Sequence, residues 1–388
     1  MSTVRVDTQE PAPDMRIGFD MGPITKCRTG VGNYCLSLLR HMLLRVTSDV
    51  SVCGLSASLR PPALDEFPPG LCCRWLPLPT RLMYLIWNGL HTPAADTLLG
   101  GVDVYHATNY FLPPVKRAKT VLTIYDLAFV KAPELCSPKV VGPFSRGVAR
   151  FVRKADLVIA ASESTKRDLV NLLGAPEDKV RVVYGAAGEG VRAVPRDEAV
   201  SVLARRYGVE GPFFLFVGTL EPRKNVAGAI RAFRRVARDL PHRLVLLGGL
   251  GWNTGEIERE LANPATEGRI LRPGMVPDED LGLFYSAAEA LVFPSFHEGF
   301  GLPALEAMAC GCPVITSNTS SLPEVCGGAA LYCPPADEEG LANAMRRVAS
   351  DRALRLRMIG DGHVQAGRFS WSGCAQQTLD IYREVTLS

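Results

Sequence analysis

No stretch of the sequence approaches the ~18 consecutive apolar residues of a membrane-spanning helix, which excludes a transmembrane reading. C-x-x-C pairs are also missing: the eleven cysteines come closest at Cys72-Cys73 and Cys310-Gly311-Cys312. With only six histidines beside them, a zinc site lacks ligands, and the thiols read as reduced and mostly buried in a cytoplasm. Net charge is scarce. Lys and Arg total 43 against 40 for Asp and Glu, a surplus of +3 that is too mild for the concentrated basic face nucleic acid demands. Residues 1–14 (MSTVRVDTQEPAPD) lack an apolar core, so they read as a disordered tail and not a secretory leader.

What is present is a chain of 388 residues, 47% hydrophobic and 21% charged, enough for two globular domains. Strand and helix signals alternate. Met15–Asp20, Val50–Leu55, Val102–Ala107, Thr120–Tyr125, Asp156–Ala161 and Lys179–Tyr184 are short apolar or β-branched runs. Between the first two, Arg28-Thr29-Gly30-Val31-Gly32-Asn33 forms a glycine loop that opens a helix near Tyr34–Arg45. Alternating strands and helices imply parallel sheet with right-handed crossovers. Gly185–Arg196 (GAAGEGVRAVPR) has no periodicity and marks an interdomain hinge. The pattern then restarts with strands at Phe213–Val217, Leu244–Leu247, Ala290–Pro294 and Pro313–Thr316. Arg231, Arg234, Arg235 and Arg238 fall on one side of a helix whose other face is apolar, which reads as a solvated surface. The expected fold is α/β, two Rossmann-like doubly wound domains facing a cleft. The expected division is a tail over 1–14, a domain over 15–190, a linker over 191–210, a domain over 211–368 and a closing helix over 369–388. That last helix carries Leu379, Tyr382 and Val385 inward; it either closes a core or packs across both domains.

Two constellations carry chemistry. Gly218-Thr219-Leu220-Glu221-Pro222-Arg223-Lys224-Asn225 follows a strand and precedes an amphipathic helix, with Asn225 as N-cap. Two cations at a strand's C-terminal end beside a helix N-terminus make an anion site. The second runs from Phe296-His297-Glu298-Gly299-Phe300-Gly301-Leu302-Pro303 into a helix containing Glu306 and ending at Gly311. Gly299 and Gly301 let main-chain N–H groups approach a ligand. Glu298 lies on the loop and Glu306 one turn into the helix, so they face different parts of a long ligand and suit neighbouring hydroxyls.

These residues resemble the retaining glycosyltransferases of family 4. The E-x7-E spacing of Glu298 and Glu306 joins the Arg223-Lys224 pair; VGTLEPRKN, FPSFHEGFGLPALEAMACGCPVITSNTSSLPEV and the closing FSW are similar to the bacterial mannosyltransferase-like branch. The likeness spans roughly residues 15–385. It implies the GT-B fold and hexose transfer, best matched by mannose from GDP-mannose, to a glycan or lipid-linked glycan, without a metal. Arg223 and Lys224 would hold the donor diphosphate, Glu306 the ribose, and Glu298 the donor sugar with N–H groups of Phe300 and Gly301. Gly218 and Leu302 join them in the donor site. Val276 would border the base, and the Gly30–Gly32 loop would close from the first domain. Arg223, Lys224 and Glu298 are the catalytic candidates.

Many relatives carry T-x-H-D where this chain reads Thr123-Ile124-Tyr125-Asp126. Tyr125 can hydrogen-bond a sugar hydroxyl, but with a pKa near ~10 it is a poor base at neutral pH. Tyr125 and Asp126 are candidate acceptor-side residues. His106 is a candidate for the cleft or, equally, a satisfied structural histidine. Asp278-Glu279-Asp280 spells a metal-binding D-x-D but reads as an N-cap with first-turn acids. Gly249-Leu250-Gly251 with Gly255 has the wrong spacing for a dinucleotide fingerprint. A glycoside hydrolase using Glu298 and Glu306, or a catalytically silent nucleotide-sugar-binding protein, are the alternatives, with a GT-B epimerase a lesser one. The protein is expected in the cytoplasm. Peripheral contact with the inner membrane face would use Lys116-Arg117-Ala118-Lys119 and Arg146, Arg150, Arg153 and Lys154, though such residues equally form plain surface.

Overall fold

The computed structural model describes residues 14–24 and 30–387. All but the last residue of the expected tail, and the Arg28-Thr29 start of the glycine loop, lie outside the described residues. The first sheet contains β1 (Met15–Asp20), β2 (Val50–Ala57), β3 (Cys72–Leu76), β4 (Val104–Ala107), β5 (Lys119–Ile124), β6 (Leu157–Ala160) and β7 (Val180–Val182). The second contains β8 (Phe213–Val217), β9 (Arg243–Leu247), β10 (Ile270–Gly274), β11 (Ala290–Phe293), β12 (Val314–Ser317) and β13 (Ala330–Cys333). Every pairing is parallel, in the orders β3-β2-β1-β4-β5-β6-β7 and β10-β9-β8-β11-β12-β13. Both orders reverse direction between two central strands, β1 and β4 in one sheet, β8 and β11 in the other. At such a switch point the connections leave on opposite sides and open a crevice at the strands' C-terminal ends.

Central strands are covered on both faces by helices, so they are buried along their whole length: FFLFV in β8, ALVF in β11 and LVIA in β6. The helices that matter below are α1 (Gly30–Leu43), α2 (Thr80–Leu90), α3 (Val148–Lys154), α4 (Glu163–Leu173), α5 (Arg196–Tyr207), α6 (Val226–Val236), α7 (Asp278–Ala287), α8 (Leu302–Ala309) and α9 (Trp371–Leu387).

Four expectations need correction. Gly30 and Gly32 belong to α1 and not to a loop before it; Gly32, Cys35, Leu36, Leu39 and Met42 are buried, and that packing overrides the poor helix propensity of glycine. The expected linker over 191–210 contains α5, capped by Gly208 in the left-handed region and burying Ala199 and Leu203 in the second core. The irregular connection is therefore shorter, between β7 and Pro195. Asn225 stands at the N-terminus of α6 without capping it: its Nδ2 donates to Pro335 O at 2.6 Å. Pro277, not Asp278, precedes α7, and Asp278, Glu279 and Asp280 fill its first turn.

The closing helix α9 belongs to the first core. Trp371, Cys374, Leu379, Tyr382 and Val385 pack there, while Phe369 just before it touches both cores. The arginine face of α6 is not bare solvent surface: Arg231, Arg234 and Arg235 pair with Glu256, Glu260, Glu338 and Glu339. All ten described cysteines are free and seven are buried.

Candidate active site

The crevice between the sheets holds a cavity of about 630 Å³, within the range of small-molecule sites. Its second-domain wall is built by the two switch-point strands. After β8 the chain turns at Gly218, whose φ of +141° only glycine adopts readily, and the short turn Pro222–Lys224 sends the Lys224 stem back over it. A Cβ on Gly218 would sit 3.0 Å from Cδ and Cε of Lys224. The ammonium rests 4.9 Å above the Phe293 ring at the end of β11.

After β11 the loop carrying Glu298 is strung between serines. The Glu298 N–H donates to Ser320 Oγ at 2.9 Å, and Ser321 Oγ donates to the carbonyls of Glu298 and Phe300, both at 2.9 Å. The Glu298 carboxylate then meets three donors: Lys224 Nζ at 2.8 Å, Ser295 Oγ at 2.8 Å and Arg223 Nη1 at 3.1 Å. Burial pushes its pKa up, but the Lys224 ammonium and Arg223 guanidinium outweigh that and hold it at about 2. Arg223 is fixed from behind by Glu221, a buried acid that accepts from its Nε at 3.0 Å and pairs with Nη2 at 2.8 Å, while Nη1 reaches His297 O at 2.7 Å. Burial raises the Glu221 pKa; the neighbouring cations pull against it.

Glu306 sits in α8, which begins after Gly301 with Pro303 in its first turn. Its carboxyl accepts from Tyr285 Oη at 3.0 Å and from Gly188 N at 3.3 Å. Neither partner carries a positive charge, so burial outweighs both hydrogen bonds and pushes its pKa up to about 7, with Asp278 adding repulsion. The two glutamates therefore differ in kind: one is a fixed anion, the other titrates near neutrality.

The first-domain wall comes from the start of α1, with Gly30, and from the turn after β5, with Tyr125 and Asp126. Gly299 meets it directly: a Cβ there would collide with the Tyr125 carbonyl oxygen. Phe300, Gly301 and Leu302 line the cavity beside it.

Three expected residues stand elsewhere. His106 is fully buried on β4, with Nδ1 2.6 Å from Tyr382 Oη and Nε2 2.7 Å from Thr123 Oγ1. It faces α9 and not the cleft; burial pulls its pKa down to about 3, so it is a neutral structural histidine. Gly32 is buried inside α1, and Val276 packs against the second core; neither is among the residues lining the cavity. Tyr125 lines it, but its hydroxyl turns inward, donating to Thr108 O at 2.8 Å beside Cys35 Sγ at 3.2 Å, so it is not offered to a sugar. Asp126 faces the cavity, with Oδ1 accepting from Ala128 N at 3.0 Å.

Residues the motif reading passed over also border the cavity: Glu221, Trp371, and Asp278 from the first turn of α7, which accepts a 3.4 Å hydrogen bond from Asn33 across the cleft. Glu221 is legible in the sequence as an acid two positions from Arg223; Asp278 reads there only as a first-turn acid, and its place in the cavity wall comes from the fold. Among the described residues no group of three or more His, Cys, Asp or Glu is placed to hold a metal ion, and no helix is long and apolar enough to cross a membrane.

In chemical terms the wall offers two cations at the C-terminal edge of the second sheet and carboxylates on either side. That arrangement suits a ligand with a central anion and hydroxyl-bearing ends.

Comparison with known proteins gives the same outline. The family model for glycosyl transferases group 1 matches residues 206–363, and that for glycosyltransferase family 4 matches 28–187. The O-antigen chain mannosyltransferase B of Escherichia coli is 33% identical over 382 residues, covering 95% of this chain and 100% of that one. Among solved structures, sucrose-phosphate synthase from Thermosynechococcus elongatus superposes with a TM-score of 0.75 at 23% identity, over 96% of this chain and 99% of the other. Anabaena HepE in complex with UDP and glucose gives 0.73 at 18% identity, over 95% and 99%. The chain belongs to the family 4 glycosyltransferases and is a sugar-transferring enzyme of the GT-B fold.

Proposed function

We propose that the enzyme transfers mannose from GDP-mannose, with retention of anomeric configuration, to a hydroxyl of a glycan or lipid-linked glycan, in the cytoplasm and without a metal ion. The observation that carries this reading is the convergence of Arg223, Lys224, Glu298 and Glu306 on one cavity at a sheet's switch point. Arg223 and Lys224 neutralise the diphosphate as it leaves; Glu306 accepts from the ribose hydroxyls, and Glu298 orients the donor sugar. The mannosyl preference draws support from the Escherichia coli relative, whose similarity runs the full length of both chains.

The base is supported by Asp278. It lines the cavity close enough to Glu306 to raise its pKa, so it borders the ribose-side end. A carboxylate only accepts, and guanine presents two adjacent donors, the ring N–H and the exocyclic amine; uracil presents one donor between two carbonyl oxygens. Asp278→Asn is expected to erode the preference for GDP- over UDP-linked donors by about tenfold or more, the scale of one lost charge-assisted contact. Competition between the two nucleotides for the purified variant reads it; an unchanged ratio removes Asp278 from base recognition.

The reading as a whole is tested with a panel of nucleotide-sugars, first by thermal shift and then by mass analysis of products with a mannan acceptor. Transfer from GDP-mannose giving an α-anomeric product by NMR supports it. Stabilisation without product would mark a binding protein, and release of sugar from free oligosaccharide without nucleotide would mark a hydrolase.

A further inference from the structure

Beside the loop that carries Glu298 stands a carboxylate oxygen with nothing to bind. Asp168 lies on α4 of the first domain and is buried, 8% exposed. Its Oδ1 accepts from Lys131 Nζ at 2.8 Å. Its Oδ2 is shut off from solvent and, among the described residues, meets no hydrogen-bond donor. A buried acceptor in that state costs stability, so its retention calls for a partner that arrives later. A candidate comes from the other domain. Nε2 of His297, the residue before Glu298, stands 4.0 Å from that oxygen, about 1 Å too far for a hydrogen bond.

His297 is itself buried, and burial pulls its pKa below the usual histidine value, so the ring is neutral in this arrangement. The groups facing it are Asp126, Asp168 and Lys131 from the first domain and Glu298 from its own loop. The three acids favour a proton on the ring and Lys131 opposes it. The main chain around the ring is already fixed: Arg223 Nη1 donates to the His297 carbonyl at 2.7 Å and the Glu298 N–H to Ser320 Oγ at 2.9 Å. The second domain also grips α4 at its first turn. Glu324, on the short helix Leu322–Cys326, accepts from the N–H groups of Glu163 at 2.7 Å and Ser164 at 3.2 Å, a favourable place for a carboxylate. One contact between the domains is therefore made on α4, and a second, about one turn further on, stands open.

We propose that Asp168 is a positioning residue for this loop: its Oδ2 accepts the Nε2–H of His297 when a nucleotide fills the cavity, and so fixes Glu298 from the first domain's side. Lys131 holds the carboxylate by its other oxygen while the gap closes. Because the oxygen is bare without ligand and satisfied with it, the contact stabilises the bound arrangement alone, which is what lets a ligand select that arrangement. Asp168 touches no substrate; it acts through His297 on the neighbouring glutamate. The nucleotide comes from the functional reading above, but the contact does not depend on which base or sugar is bound.

Histidine-selective NMR of the full chain, titrated over pH with and without GDP or UDP, tests it. The chain has six histidines, and the spectrum of His297→Ala assigns the one that matters. In wild type its titration midpoint is expected to rise by at least about one pH unit with nucleotide bound, as the carboxylate comes within reach. In Asp168→Ala it is expected to stay where it is. Affinity reads the same contact: Asp168→Ala and His297→Ala should each weaken nucleotide binding by about tenfold, and the double variant no further. If Asp168→Ala does not fold, Asp168→Asn replaces it, keeping the volume without the charge that lifts the midpoint. Losses that multiply in the double variant overturn the proposal. So does a midpoint that neither nucleotide moves; the thermal shift recorded alongside shows whether binding, and with it the functional reading, has also failed. A rise that persists without Asp168 belongs to the diphosphate and overturns it too. A response to UDP and not to GDP supports the contact and removes the base assignment instead.

Discussion

Lys224→Ala is expected to lower kcat by about 10²–10³, equivalent to about 2.7–4 kcal/mol, the usual loss when one preorganised electrostatic contact is removed from a transition state. The side chain is held in one defined place. Its stem lies over Gly218, its ammonium over Phe293, and its charge is matched by Glu298, a match the proposed donor diphosphate would take over. The same pairing gives the variant a second, separable defect. Glu298 is buried and keeps its charge because Lys224 and Arg223 neutralise it. Removing one of them leaves a poorly compensated buried anion, a change that destabilises by about 3–5 kcal/mol when no rearrangement relieves it. Lys224→Ala/Glu298→Gln should therefore regain much of the lost melting temperature while turnover stays low. Steady-state kinetics and thermal melts on the single and double variants separate the two effects. Full turnover and unaltered donor affinity in Lys224→Ala would take the residue out of the mechanism.

Glu306 yields the second large effect, and its sign is set by burial. The folded pKa, about 7, stands above the ordinary 4.5, so the folded state holds this proton more tightly than the unfolded chain does. The stabilising share is complete below pH ~4.5 and is lost as pH climbs through ~7. Glu306→Gln has no such proton to lose. It should melt close to wild type at pH 5 and be more stable at pH 8 by about 3 kcal/mol, from 1.36 kcal/mol per pKa unit. Donor binding should run the other way. In the proposed ribose contact the carboxylate is the stronger acceptor, so wild-type donor affinity is expected to rise between pH 6 and 8 while the variant stays weak and flat. Melting curves and donor titrations across that range check both. Identical pH dependence in the two proteins would assign the titration to another group.

How much of this could be read from sequence depends on where each residue's partners lie. The inner strands declared themselves because both faces are covered, and FFLFV or ALVF admits no polar position. The three strands that the sequence pattern does not announce, β3, β10 and β13, are all at sheet edges, where CCRWL and ILRPG mix apolar with charged or proline residues. Arg223, Lys224, Glu298 and Glu306 were recognisable because each is local to a strand end or a helix start. His106 was not, since the hydroxyl that satisfies it is on Tyr382, 276 positions away. Tyr125 looked available for a similar reason: its acceptor is the carbonyl of Thr108 on the neighbouring strand connection. The exposed outer face of α2 is not legible in sequence, because an apolar stretch reads alike whether one side or both are covered.

The backbone passes between the two cores twice, once in the segment around Ala187 and again at Phe369–Trp371, and the Trp371 indole donates to the Ala187 carbonyl at 2.8 Å. Two straps fastened side by side behave as a door hinge: they permit a swing about the line joining them and resist both sliding and separation. Opening of the crevice along that swing is the motion these two crossings oppose least, and the tryptophan at the axis also lines the cavity.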